Sequence, residues 1–83
     1  MKIFSQQKRF QIEFISVDTE ITLYHSDFKE EENDLDITLE FLNSIEIGKK
    51  INNKSETETY KVLDFGLNID NQANRIQVYI KKI

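Results

Sequence analysis

Eighty-three residues, 39% of them hydrophobic, make one domain with a thin core; a chain of this size buries only about 60–65% of the surface its unfolded form exposes. The absence of cysteine excludes disulfides and thiolate metal sites. The net charge of −4 is unfavourable for general phosphate binding, and no apolar run approaches the ~18 residues of a membrane helix.

No signal-like hydrophobic stretch follows Met1, so the expectation is a single domain, 1–83, in the cytoplasm of a bacterial host cell. Isoleucine occurs 12 times and phenylalanine 6, against one alanine, two glycines and no proline. β-Branched and aromatic residues favour strands over helices. The excess of Ile, Lys, Asn and Phe is also what an AT-rich genome encodes, as in a low-GC bacterium or a mobile element.

In chain order, Met1–Ser5 suits a short edge strand. Phe10, Ile12 and Phe14 then alternate with polar neighbours, as do Ile21 and Leu23. A tight turn at Asp18-Thr19 pairs Phe14 with Leu23 and Ser16 with Ile21, and places His25 opposite Ile12. A short helical turn is expected near residues 27–33.

Residues 35–47 fit two templates. Leu35, Ile37, Leu39, Phe41, Ile45 and Ile47 share strand parity, whereas Leu35, Leu39 and Leu42 share a helical face with Asp34 as N-cap and Gly48 past the end. The alternation and the β-branching favour a strand. The helical alternative gives a β-β-α-β-β order. Residues 48–56 read as a polar connection.

The last third is the clearest. Leu63, Phe65, Leu67 and Ile69 alternate, and so do Ile76, Val78 and Ile80. A four-residue loop at 70–73 puts Leu67 opposite Ile76, Phe65 opposite Val78 and Leu63 opposite Ile80. Tyr60 and Val62 have the opposite parity from Leu63, which signals a bulge near Val62–Leu63. The expected fold is therefore all-β: a small antiparallel sheet of two hairpins plus central strands, curled as a barrel or half-open sandwich.

Charge is unevenly spread. Residues 13–46 carry eleven acids and one base, Lys29, between two mildly basic ends. Five carboxylates fall within residues 30–36. The plain interpretation of such a run is a solvated loop. The functional interpretation is a surface that docks a basic partner, for which the candidates are Glu20, Asp27, Glu30, Glu31, Glu32, Asp34, Asp36 and Glu40, with Tyr24 and Phe28 as rim anchors. Such spacing imitates a phosphate backbone, so the expected partner is a nuclease or another nucleic-acid-binding protein.

Other motifs fail on geometry. His25-Ser26-Asp27 has hydrolase residue types, but strand neighbours point to opposite faces. Gly48-Lys49-Lys50 lacks the rest of a phosphate loop. The acidic run lacks the Gly and Glu of a calcium-binding loop. No cofactor, metal or catalytic set is expected. Two further functions remain as alternatives. One is a self-associating module of a phage particle or other assembly, through an exposed sheet edge. The other is a single-stranded nucleic-acid binder that uses Arg75, Tyr79 and Lys81 on the polar face of the last strand.

Overall fold

The computed structural model describes residues 9–69 and 73–83. The expected Met1–Ser5 strand and most of the loop at 70–73 lie outside that range. Five strands form one sheet: β1 (Arg9–Ser16), β2 (Thr22–His25), β3 (Lys50–Asn52), β4 (Thr59–Ile69) and β5 (Ala73–Lys82). Their order is β2-β1-β5-β4-β3, and the sheet curls into a half-barrel. A 3₁₀ turn at Glu30–Glu32 supplies the helical turn expected near 27–33.

The sheet is mixed rather than purely antiparallel. β1 and β5 run parallel from Arg9↔Ala73 to Ser16↔Ile80. This corrects the antiparallel expectation. Each hairpin contributes its inner strand to the centre of the sheet, and residues 26–58 provide the long crossover that parallel neighbours need.

The C-terminal hairpin has the expected register from Asp64↔Tyr79 to Asn68↔Arg75. The bulge also falls where parity breaks, between Val62 and Asp64. It changes one pair: Val62 faces Ile80, and Leu63 is turned outward, 39% exposed.

In the N-terminal hairpin, Ile15↔Thr22 and the Ser16 N–H to Ile21 C=O bond of 3.0 Å keep the expected register near the turn. A bulge at Phe14/Ile15 then shifts it, so Phe14 faces Tyr24 and Glu13 faces His25. His25 therefore sits opposite a carboxylate and not opposite Ile12.

The middle segment departs most from the strand expectation. Leu35 makes one isolated antiparallel bridge to Asn53. The chain then forms α1 (Leu39–Asn43). Thr38 is its N-cap, and its Oγ1 accepts from the Phe41 N–H at 3.0 Å. Neither Asp34 nor Gly48 caps the helix. Gly48, at φ 93°, lies in the turn before β3 and donates its N–H to the Val62 C=O. The supposed polar connection also holds β3, because Ile51 fills the core between two lysine- and asparagine-rich flanks.

Phe14, Leu35, Ile51, Tyr60, Val62, Val78 and Ile80 form the buried core. Ile37, Phe41, Leu42 and Ile45 pack over it from α1 and its flanks. Each fully buried large side chain contributes about 1.5–3 kcal/mol.

Candidate functional site

The acidic run is an ordered strap. It leaves β2 with Ser26 paired to β1: the Ser26 N–H donates to the Ile12 C=O at 3.0 Å, and the Ile12 N–H donates to Ser26 Oγ at 3.2 Å. Asn33 is buried, and its Oδ1 accepts from the His25 N–H at 2.9 Å. The Asp34 N–H then donates to the Leu23 C=O, while the Asp34 C=O accepts from the Lys54 N–H. The Asp36 N–H donates to the Asn52 C=O at 3.0 Å. Residues 33–36 thus bridge the free edges of β2 and β3. Leu35 points inward as a core plug, 1% exposed, and Asp34 and Asp36 point to solvent.

The strap carboxylates are exposed at Asp27, Glu30, Glu31, Glu32, Asp34 and Asp36. Some are engaged locally. Gln11 Nε2 donates to Asp27 Oδ2. Glu32 Oε1 accepts from the Lys29 N–H at 2.9 Å, which fixes the 3₁₀ turn. Lys54 pairs with Glu30 at 3.3 Å and so neutralises part of the strap from within.

Next to the strap lies a cleft of about 590 Å³ lined by Glu31, Asp34, Lys54, Glu58 and Tyr60. The Tyr60 hydroxyl donates to Glu58 Oε2 at 3.2 Å. Its pKa is raised above the ordinary 10.0, first by burial, then by the charge of Glu58 and its hydrogen bond, and then by Asp34 and Asp18. Glu58 also pairs with Lys82 at 3.3 Å.

The other candidate residues are distributed differently. Glu20 sits in the β1–β2 turn at φ 59°, and Glu40 lies in the first turn of α1; both belong to elements other than the strap. Tyr24 is not a rim anchor, because its ring packs edge-on against Phe14 at 5.6 Å. Phe28 is 42% exposed and stacks on His25 at 5.1 Å. His25 and Ser26 do not converge: His25 Nδ1 accepts from the Asp27 N–H, and Ser26 Oγ accepts from Ile12.

On the outer face, Arg75 and Tyr79 belong to a cross-strand polar ladder. Arg75 Nε donates to Gln11 Oε1 at 3.3 Å, the Tyr79 hydroxyl donates to Gln77 Oε1 at 2.9 Å, and Gln77 Nε2 donates to Glu13 Oε1 at 3.0 Å. His25 Nε2 lies 3.7 Å from the other oxygen of Glu13. The Tyr79 ring covers Gly66, where a Cβ would lie 3.2 Å from the ring edge.

Two features escaped sequence reasoning. Lys50, Lys61 and Lys81 stand directly opposite one another across β3, β4 and β5. Their alignment depends on β3, which is only three residues long. The other is an apolar groove of about 870 Å³ at the open end of the half-barrel, between β1, β5, β4 and the end of α1. Alternation marked the residues of that face, but it carried no sign that nothing would cover them.

Among the described residues no cluster of three or more His, Cys, Asp or Glu side chains could hold a metal ion. No helix there is long and apolar enough to cross a membrane. Comparison with known protein families, curated proteins and solved structures found no match to this chain.

Proposed function

We propose that the chain is a non-enzymatic acidic binding protein that inhibits or sequesters a basic, nucleic-acid-binding partner, such as a nuclease, in the cytoplasm of a bacterial host. The observation that supports this reading is the ordered strap. Backbone bonds to β2 and β3 hold residues 33–36 in place, so the neighbouring carboxylates meet a partner without a large ordering cost. Glu31, Asp34 and Glu58 share one cleft, and Asp34 and Glu58 act on the same Tyr60 hydroxyl. Their combined field favours encounter with a cationic surface. Phe28, exposed beside Asp27, supplies an apolar contact. Lys54 limits the field at Glu30, so the contact centres on Glu31, Asp34 and Asp36. A phage- or plasmid-borne inhibitor and an immunity protein for a nuclease toxin both have this design.

The test is affinity capture from the native host at low salt, followed by cross-linking of the captured protein. A basic protein cross-linked within residues 27–36, released by raising the salt and lost in the Glu31→Gln/Asp34→Asn/Asp36→Asn variant, supports the reading. Capture that survives this variant, or a partner that cross-links only elsewhere, sinks it.

A further inference from the structure

We propose that the open end of the half-barrel is a homodimer interface, formed by antiparallel pairing of β4 with β4 of a second copy about a two-fold axis at Leu67. The inference rests on the apolar face and the β4 edge, independently of the acidic strap.

The apolar face comes first. Phe10 is 68% exposed, Leu67 63%, Ile69 58% and Phe65 37%, all lining the same groove. Together they present on the order of 500 Å² of apolar surface, near the upper end of what a monomer usually shows. Covering it in two copies removes about 1,000 Å², the lower bound of a specific interface.

Charge selects the occupant. No residue lining the groove is charged, and no strap carboxylate reaches it. A charged partner finds no counterpart here, whereas two copies of this acidic chain meet here without opposing their carboxylates.

The edge supplies direction. β3 pairs only with Thr59, Tyr60 and Lys61 of β4. The N–H and C=O of Val62 bond to Lys49 and Gly48. From Leu63 to Ile69, β4 has β5 on one side and no strand on the other among the described residues. The Ile80 C=O accepts from the Val17 N–H, so Ile80 directs its backbone groups toward the β1 side. By alternation Val78 and Ile76 do the same, and their partners Phe65 and Leu67 turn their N–H and C=O groups outward. Residues 65–69 contain none of the lysines, prolines or bulges that blunt an exposed edge. A two-fold at Leu67 sets Leu67 against its own copy and Phe65 against Ile69 of the other chain. The unpaired backbone and the exposed side chains are then satisfied by one contact.

The sequence lacks cysteine, which makes the register directly testable. Across the two-fold, Leu67→Cys places two Cα atoms about 5.5 Å apart, within disulfide reach. Ile69→Cys places its copies more than about 10 Å apart in the same pairing. Mild oxidation should link the Leu67→Cys protein rapidly into dimers and leave Ile69→Cys largely unlinked. Light scattering should show wild type approaching twice the monomer mass with rising concentration, and Leu67→Lys remaining a monomer with an unchanged circular dichroism spectrum. A wild type that is monomeric at every concentration overturns the proposal. If deletion of residues 1–8 from that monomer opens the groove to a hydrophobic dye, the occupant is the chain's own N-terminal segment. Equal cross-linking of both cysteine variants, or a dimer that survives Leu67→Lys, also overturns it.

Discussion

The two ends of this sheet are built from the same alternating pattern and meet opposite fates. On β4, Val62 is fully buried while Leu67 is 63% exposed. On β5 and β1, Val78 and Phe14 are fully buried, while Phe10 lies open at the far end. What separates the ends is the cover. Leu35 and the residues around α1 cap the closed end, and the strap fastens β2 to β3 behind them. Among the described residues, nothing comparable lies over Phe65, Leu67 and Ile69. An apolar face declares what a strand needs, and the rest of the chain decides whether that need is met internally.

The sharpest way to probe this contrast is to truncate one residue at each end. Phe14→Ala removes a ring that contacts Tyr24 and Phe41 and should cost about 3–5 kcal/mol, much of the stability of so small a domain. Leu67→Ala should change monomer stability by less than about 0.5 kcal/mol. Urea denaturation in dilute solution, followed by circular dichroism, measures both. Comparable losses would mean that the open end is packed in solution.

Leu35→Ala tests the cover itself. It should cost about 2–4 kcal/mol and should also loosen the strap, because the Asp34 and Asp36 amides depend on the alignment that Leu35 fixes. Hydrogen exchange at those two amides should rise more than at β5. Uniform loss of protection would show instead that strap and sheet open as one unit.

How much of this was legible follows from how local each signal is. The β4–β5 register and its bulge could be read because Leu63 to Ile80 carry a long alternation with one parity conflict at Val62. The parallel β1–β5 pair left no mark, since two distant segments meet without a shared turn. Leu35–Ile47 misled because its alternation is real but is spent on a one-residue bridge and a capped helical turn. Thr38, counted against the helix, is the residue that starts it. Tyr24 pointed inward because a bulge at Phe14/Ile15, invisible in the pattern, reversed its face. Of the candidate site, the charge of the strap was legible from composition. Its backbone attachment to β3 was not, because β3 reads as polar linker.

Thr38→Ala tests α1 as a cover at lower amplitude. Loss of the Thr38 Oγ1 bond to the Phe41 N–H should cost about 1 kcal/mol and lower the thermal midpoint by about 4–8 °C. Thr38→Ser should restore most of it, since the hydroxyl is what caps. A fully stable alanine variant would mean that packing of Phe41 and Leu42 alone holds the turn.

The smallest expected effect concerns the outer face of the closed end, where Lys50, Lys61 and Lys81 face one another across three strands. Like charges directly opposite on neighbouring strands oppose pairing. All three are exposed, so water and salt blunt the repulsion. Lys61→Glu converts two repulsive pairs into two attractive ones and should raise the thermal midpoint by about 2–4 °C. The gain should shrink as salt is added, because its origin is Coulombic. A salt-independent gain would point to β-propensity or packing at position 61. No gain at low salt would mean that the lysine chains splay far enough apart for the row to cost nothing, and the closed end would then owe its stability to its core alone.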